Sequence, residues 1–289
     1  MRDFIITCHG WSASNWLSYV LNQHPDLVVS HSAANLIDER FENDIRGREL
    51  EFKQGYLNRT ERSIADGYAK IRKSGSAKAY GSVHLYRLRD LPVQHQRFGI
   101  DKPYNIVNLV RNPVDLVWSG YGQFQEIFRT DINELHWSVG KLLEDIEFCY
   151  EMADKHDLRL GDLETLAFFC AARVLGSLRL DLDAMKDIDD IENLKNLGIL
   201  RMEDVTTSRE SLIELFDRLF LGKITCDRRY LDHVYGIGEI NTHKTGKKKS
   251  GRTRYINMTP WQQEVLCFYM DKYNLKKPYA QYGYSLDYL

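Results

Sequence analysis

The chain has 289 residues, 43% of them hydrophobic and 28% charged, so it can bury a large core. This composition excludes a disordered chain and a fibrous repeat. Lys and Arg number 39 against 41 Asp and Glu, and the resulting net charge of −2 argues against a general nucleic-acid-binding protein. A length of this order suits one α/β domain with insertions.

No apolar run approaches the roughly 18 residues that a membrane-spanning helix needs. The N-terminus also lacks the long apolar stretch of a signal peptide. The five cysteines are scattered and no pair has C-x-x-C spacing, which indicates neither a disulfide framework nor a zinc site. We therefore expect a cytoplasmic protein with no membrane span and no bound metal.

The N-terminal segment predicts a strand, a loop and a helix. Residues Phe4 to Thr7 form a short apolar run, and a loop of small residues follows it. A helix then carries apolar side chains on one face, at Trp16, Leu17, Val20 and Leu21. His24-Pro25 ends this helix because the residue before a proline avoids the α region. A second strand is predicted over residues 27–30.

The next segments alternate between strand and helix patterns. Residues 36–78 are polar and charged with helical spacing, which indicates a helical insertion beside a site. A weak strand is predicted at 79–85 and a stronger, β-branched strand at 106–110. Asn112 and Pro113 then have the residue types of an N-cap and a first helical position.

The second half predicts mostly helices around one more strand. Residues 131–196 have helical patterns, 197–202 a strand pattern, and Ser208 is a candidate helix cap. Thr259, Pro260 and Gln262 have the spacing of a capping box. Strand, loop and helix in this order predict a central, mainly parallel sheet flanked by helices. With no internal repeat and no linker, we expect residues 1–289 to form a single domain.

The loop after the first strand has the residues of a phosphate-binding turn. A strand that ends in small residues before a helix directs backbone N–H groups and the helix dipole at an anion. An ordinary turn with a serine N-cap is the alternative. The G-x-x-x-x-G-K-[ST] pattern is absent, which disfavours a P-loop kinase or NTPase.

Four segments, in order, resemble the sulfotransferase family. Residues 12–27 (SASNWLSYVLNQHPDL) resemble its R/K-S-G-T-T-W/L loop and the following helix that ends L-N-x-H-P-D/E-I. Residues 107–119 resemble its 3′-phosphate motif, a strand followed by R-N/D-P-x-D and a later serine. Residues 200–205 resemble its L-R-Y-E-D-L strand, and Trp261 with residues 282–284 resembles its closing tryptophan helix and terminal G-Y.

The resemblance implies a P-loop-like three-layer fold and a sulfotransferase that uses 3′-phosphoadenosine-5′-phosphosulfate (PAPS) as co-substrate. The first loop would bind the 5′-phosphosulfate, through Gly10, Trp11, Ser12, Ala13, Ser14, Asn15 and Trp16. Arg111 and Ser119 would bind the 3′-phosphate. A basic, glycine-containing tract near the C-terminus, at 241–256, would act as a lid that reaches the same phosphate, through Lys244 and Gly246 or through Ser250, Gly251 and Arg252. A solvated loop is the alternative for this tract.

Transfer of the sulfuryl group to a hydroxyl or amine needs a base, and two histidines compete for that role. His84 lies where cytosolic members place a strand-end K-T-H, although Ser82 stands in place of the lysine. His31 lies at the spacing where Golgi-type members place a catalytic glutamate. Either imidazole can accept a proton near neutral pH, and each is otherwise a hydrogen-bonded strand-end histidine. We prefer His84.

One position departs from the family pattern. Trp11 stands where members carry a lysine or arginine that bridges the leaving phosphate and the sulfuryl group. His9 or a lysine of the basic tract could replace that cation. Alternatively, the chain is a nucleotide-binding protein that has lost turnover. The acceptor is predicted only as a small molecule, a glycan or a lipid, shaped by residues 36–78 and 131–180, and the sequence does not determine the oligomeric state.

Overall fold

The computed structural model describes residues 2–11, 13–31, 77–84, 87–100, 102–237 and 250–289. The predicted insertion at 36–78 therefore lies outside the described residues except at its last two positions. Ser12, Lys244 and Gly246 also lie outside them, as does most of the predicted lid.

Five parallel strands form one sheet. Their bounds are β1 Asp3–Cys8, β2 Leu27–His31, β3 Ala79–Val83, β4 Tyr104–Val110 and β5 Leu194–Arg201. The spatial order is β2-β3-β1-β4-β5, and every neighbouring pair is parallel. The prediction of a mainly parallel sheet is confirmed. Because all five strands run the same way, their carboxyl ends lie at one edge, where ligands bind in open α/β sheets.

Helices connect and follow these strands. In the described residues they are α1 Ser14–Asn22, α2 Asp90–Phe98, α3 Pro113–Thr130, α4 Ile132–Leu142, α5 Ile146–His156, α6 Leu163–Arg173, α7 Leu175–Ile188, α8 Met202–Thr207, α9 Arg209–Phe220, α10 Arg228–Gly236, α11 Gly251–Ile256, α12 Pro260–Lys272 and α13 Lys276–Gln281, with a 3₁₀ turn at Leu143–Asp145. The predicted capping box is present at Thr259 and Gln262. Asn112 caps α3 as predicted, accepting the N–H groups of Val114 and Asp115.

The chain divides into two compact units. Unit 1 consists of Met1–Val110 and Asp181–Thr245, and unit 2 of Arg111–Leu180 and Gly246–Leu289. Unit 1 contains the whole sheet, whereas unit 2 is helical in its described residues. The single-domain prediction stays a prediction.

Both faces of the sheet in unit 1 are covered by apolar side chains. Successive strand residues point to opposite faces, so Phe4 and Ile6 pack with α1, α9 and α10, and Ile5 packs with α2 and the end of α7. Each of these three β1 side chains is fully buried. At about 1.5–3 kcal/mol per buried large apolar side chain, this burial holds the helices on the sheet.

Polar residues of the first motif connect α1 to β2. Asn22 donates to the Val29 carbonyl and accepts the Val29 N–H at 2.8 Å, so its amide continues the hydrogen bonding of β2. His24 accepts the Asp26 N–H at 3.2 Å and thereby shapes the turn between the two elements. The L-N-x-H-P segment thus has a structural role, which is to fix where β2 begins.

Aromatic side chains and one buried carboxylate organise unit 2. Trp261 of α12 packs edge-on against Phe168 of α6, with ring centroids 5.1 Å apart. The buried Asp145 forms ion pairs with Lys272 and Arg173 and accepts the Tyr269 hydroxyl at 3.1 Å. Since a buried carboxylate is costly unless it is paired, this cluster holds the 3₁₀ turn against α6 and α12.

Both ends of β5 differ from the sequence prediction of a strand at 197–202. β5 begins at Leu194, three residues before the predicted strand, because Leu194 packs into the core formed with Ile188 and Ile191. It ends at Arg201, and residues 202–207 form α8. The segment that resembles a strand motif therefore changes from strand to helix in its middle.

Candidate functional site

The loop between β1 and α1 has a strained backbone. Trp11 has φ 65° and Ala13 has φ 53°, the left-handed region that residues with a Cβ seldom adopt. Ala13 is the N-cap of α1, and no side chain of the described residues caps the helix there. The N-cap residue is thus an alanine and not the serine of the alternative turn. Anions commonly bind at a helix N-terminus below a small-residue loop, and this role of the loop stays a prediction.

The predicted loop residues have different environments. Gly10, Trp11 and Ala13 are half-buried, Ser14 is buried and Asn15 is exposed. The Trp16 ring is buried and lies 6.0 Å from the Tyr235 ring, so its side chain belongs to the core. The binding role of this loop stays a prediction, and among its described residues Ser14 carries a buried hydroxyl at the start of α1.

His31 ends β2 and contacts this loop. Its Nε2 lies 3.0 Å from the Ser14 hydroxyl, the first residue of α1. A histidine nitrogen at this distance either accepts the hydroxyl proton or donates to its oxygen. His31 therefore orients a hydroxyl that lies on the first residue of α1.

His84 follows β3 and lies beside His31. The two rings stack, with centroids 5.9 Å apart and planes inclined by 29°. His84 has φ 64°, and its Nδ1 lies 3.1 Å from the Cys8 carbonyl oxygen. Because a carbonyl only accepts, this contact places the proton on Nδ1. The ring is then in the tautomer whose Nε2 accepts a proton.

His9 is a third histidine at the same edge of the sheet. It follows β1 and is 5% exposed, and its Nε2 has no hydrogen-bond partner among the described residues. Burial, and then the nearby positive charges of Arg87 and Arg89, lower the pKa of His9 well below its usual value. His9 is therefore neutral at pH 7 and supplies no cation in place of the lysine missing at Trp11.

Unit 2 holds the second set of predicted residues. Arg111 directly follows β4 in the chain, and Asn112 and Pro113 start α3. Ser119 lies on α3 and is half-buried, as is Arg111. Ser119 thus lies in the second turn of α3, and Arg111 lies directly before the N-cap residue Asn112.

The described part of the basic tract forms α11, which packs on the start of α3. Ser250 caps α11 by accepting the Thr253 N–H at 3.2 Å. Gly251 lies so close to Asn112 that a Cβ at Gly251 would be 2.7 Å from the Asn112 Oδ1. Arg254 pairs with the buried carboxylate of Asp115. The side chain of Arg252, in contrast, is exposed to solvent.

The described ranges contain neither a metal-binding cluster nor a membrane-spanning helix. These ranges hold no group of three or more His, Cys, Asp or Glu side chains arranged to bind a metal ion. None of their helices is long and apolar enough to cross a membrane.

Arg87 lies near the candidate site and was not indicated by the sequence. Its Nε is buried without a hydrogen-bond partner among the described residues, and its positive charge acts on His9. Residues 84–89 show no motif, so the only available signal was the cationic pair Arg87 and Arg89 shortly after a strand.

The sequence matches no family model and no curated protein. Among solved structures, the chain is similar to a sulfotransferase from Alicyclobacillus acidocaldarius, with 16% identity, 82% of this chain and 91% of that chain covered, and a TM-score of 0.43. It is also similar to the mouse sulfotransferase SULT7A1 in complex with PAP, with 17% identity, 97% and 88% covered, and a TM-score of 0.43. Both are sulfotransferases, the family that the four sequence motifs resemble. The assignment of this chain to the α/β class rests on its own parallel sheet and on the helices that cover it.

Proposed function

We propose that this protein is a PAPS-dependent sulfotransferase that acts on a hydroxyl or amine acceptor. The observation that carries the proposal is the arrangement at the carboxyl edge of the sheet. There the strained loop leads into the N-terminus of α1, which no side chain of the described residues caps, and His31 and His84 lie at the ends of the neighbouring strands β2 and β3. Sulfuryl transfer needs an anion-binding turn and a proton acceptor in one place.

The residues of the first loop fit a phosphate or sulfate group. The N–H groups at the start of α1 lack a side-chain cap, the Ser14 hydroxyl is oriented by His31, and His9 has a buried ring nitrogen without a described partner. Each of these is a donor or can become one. When bound, PAPS would supply the sulfuryl group and leave as the 3′,5′-bisphosphate (PAP).

Arg111 and Ser119 are proposed to bind the 3′-phosphate, the group that distinguishes PAPS from ATP. A guanidinium can donate two parallel hydrogen bonds to a phosphate, and a hydroxyl adds a third. Among the described residues of the tract, the exposed Arg252 is proposed for the same role, because Arg254 is paired with Asp115 and Ser250 caps α11.

His84 is proposed as the base. With Nδ1 donating to the Cys8 carbonyl, Nε2 takes the proton of the acceptor hydroxyl or amine as the acceptor atom bonds to sulfur. The bond between sulfur and the 5′-phosphate oxygen breaks, and its electron pair stays on that oxygen. His31 has a positioning role through Ser14.

A non-catalytic nucleotide-binding protein is the second candidate, and Trp11 is the observation that favours it. No lysine or arginine occurs from His9 to Trp16, and His9 is neutral. Without a cation near the leaving phosphate, transfer would be slow even if the nucleotide binds.

Calorimetric titration of the full chain with PAP, PAPS and ATP tests the proposal. We expect PAP and PAPS to bind more tightly than ATP, and the absence of heat at millimolar PAPS would overturn the assignment. A screen of acceptor classes with labelled PAPS then separates the candidates, because an enzyme transfers label to an acceptor and a binding protein does not.

A further inference from the structure

Arg87 and His9 each place an unsatisfied nitrogen inside unit 1. The Arg87 Nε and the His9 Nε2 are both buried, and neither has a hydrogen-bond partner among the described residues. Burying a polar nitrogen without a partner costs on the order of 1–3 kcal/mol, and more for a charged group. Two such atoms in one region therefore require a reason.

The backbone brings the two residues to the same edge of the sheet. β1 and β3 are parallel neighbours with Ile6 opposite Val83, and the His84 N–H extends this pairing by donating to the Ile6 carbonyl at 3.0 Å. His9 leaves β1 just beyond this point, and Arg87 follows His84 by three residues. The Arg87 charge is felt at the His9 ring, as its effect on the pKa of His9 shows.

The nearby carboxylates form no hydrogen bond with the Arg87 guanidinium among the described residues. Asp90 accepts the backbone N–H of Arg87 at 2.8 Å, and Asp181 accepts the backbone N–H of Arg89 at 3.2 Å. The positive charges of Arg89 and Arg87 act on the Asp181 carboxyl, which offsets part of the Arg87 charge from a distance. Within the described residues, the Arg87 guanidinium makes no ion pair.

We propose that Arg87 and His9 together bind an oxyanion, a sulfate, phosphate or carboxylate group of a ligand. Arg87 supplies the permanent charge. The His9 Nε2 becomes a donor when the ring takes up a proton from solvent as the anion binds, because a nearby negative charge favours the protonated imidazole. His31 and His84 lie at the same edge of the sheet, and Arg89 adds positive charge. Arg87 would then carry the charge that Trp11 lacks.

This inference extends the proposed function, since the oxyanion can belong to the nucleotide or to the acceptor. If it belongs to the nucleotide, Arg87 replaces the missing loop cation. If it belongs to the acceptor, the protein acts on an anionic acceptor. The chemistry of recognition is the same, and the experiment must separate the two sources.

Inorganic sulfate is the probe for the test. We would measure the melting temperature of the full chain with increasing sodium sulfate and with sodium chloride at equal ionic strength, with and without saturating PAP. Sulfate stabilises most proteins through solvent exclusion, so the control variant is Arg228→Gln, whose side chain is exposed in the same unit. Arg87→Gln, Arg87→Lys and His9→Asn are the test variants, and their melting temperatures in chloride show whether each folds.

We expect a saturable sulfate effect in the wild type and in Arg228→Gln. Arg87→Gln should weaken sulfate binding by about tenfold or more, as expected for loss of a charged hydrogen bond, and Arg87→Lys and His9→Asn should weaken it less. A sulfate effect that PAP abolishes assigns the oxyanion to the nucleotide, and one that persists with PAP assigns it to the acceptor. An equal sulfate effect in all five proteins overturns the proposal. If PAP fails to bind, the nucleotide assignment fails, while the sulfate comparison without PAP still decides the oxyanion site.

Discussion

The Nε2 of His31 lies 3.0 Å from the Ser14 hydroxyl, so the last residue of β2 is tied to the first residue of α1. This contact makes His31 unsuited to act directly on an acceptor, because its nitrogen is already engaged at the anion-binding turn. The neighbouring His84 has its Nδ1 on the Cys8 carbonyl instead. The two histidines are therefore proposed to have different roles, one positioning and one catalytic.

Replacing His84 tests the proposed base. His84→Asn should lower the rate constant for sulfuryl transfer at least about 100-fold and change PAP affinity less than threefold, since general-base catalysis contributes at least that much. Asn is suitable because it tolerates the left-handed backbone that His84 adopts. Single-turnover rates with labelled PAPS and calorimetry with PAP measure the two effects. His95→Asn, an exposed histidine on α2, is the control. Full activity of His84→Asn together with loss in His31→Asn would reverse the two roles.

Replacing Arg111 tests the assignment of the 3′-phosphate. Arg111→Ala should weaken PAP about tenfold or more but leave ATP binding within about twofold, because ATP has no 3′-phosphate and a charged hydrogen bond contributes about 1.5–3 kcal/mol. Arg159→Ala changes an exposed arginine of the same unit and should affect neither ligand. Calorimetry with both nucleotides measures this, and equal losses for PAP and ATP would contradict the assignment.

Gly251 is required by the packing of α11 on α3. Gly251→Ala would place a Cβ 2.7 Å from the Asn112 Oδ1, so the cap of α3 or the start of α11 must shift. We expect a loss of about 1–3 kcal/mol in the free energy of unfolding. Gly122→Ala lies within α3, where the new Cβ would meet no neighbouring atom within 4 Å. This change should be neutral or stabilising by up to about 1 kcal/mol. Urea denaturation compares the two, and equal effects would show that α11 does not depend on this contact.

Asp181 should make stability depend on pH. Burial raises its pKa from 3.8 to about 6 in the folded protein. Asp181 therefore contributes stability that is fully present below the pKa of the unfolded chain, 3.8. This stability is lost as the pH rises through about 6. Asp181→Asn should therefore stabilise the protein at pH 7.5, by at most about 3 kcal/mol, with the gain vanishing towards pH 4. Urea denaturation across this range checks it against Asp187→Asn, an exposed carboxylate on the same helix. A gain independent of pH would contradict the burial argument.

His9 should act in the opposite direction. Its pKa is lowered on folding, so below pH of about 6.5 the unfolded chain takes up a proton that the folded protein does not. Stability contributed by the neutral ring is present above that pH and is lost as the pH falls. His9→Asn should reduce the loss of stability between pH 7 and pH 5, measured by thermal unfolding without sulfate. The exposed His95→Asn should not, and an unchanged acid sensitivity of His9→Asn would contradict a buried neutral ring.

Local sequence signals predicted the elements that depend on neighbouring residues. The β-branched run before Val110 and the Asn112-Pro113 start of α3 were both recognisable, because strand burial and helix capping involve residues close in the chain. The capping box at Thr259 was recognisable for the same reason. α8 and α11 were missed, since each has six residues and too few apolar positions to show a helical period.

The site was only partly predictable. The sequence motifs pointed to the first loop, to Arg111 and to two candidate histidines, but they did not distinguish the histidines or indicate Arg87. The pairing of β1 with β3 determines which nitrogen of His84 lies against the Cys8 carbonyl. This pairing joins residues that are far apart in the chain. Likewise, the role proposed for Arg87 depends on its position near His9, which follows from the pairing of β1 with β3.

Composition, hydrophobic periodicity and short motifs thus suffice for the α/β class and the parallel sheet, because both depend on local patterns. The same patterns give the place where anion binding is proposed. The strand order β2-β3-β1-β4-β5 does not follow from such patterns. It arises when the two faces of the sheet bury their side chains against distant helices, and it places His31, His84 and His9 at the ends of three adjacent strands. The near-neutral charge of the whole chain therefore conceals a local excess of cationic and titratable groups, which becomes a site only when the sheet assembles.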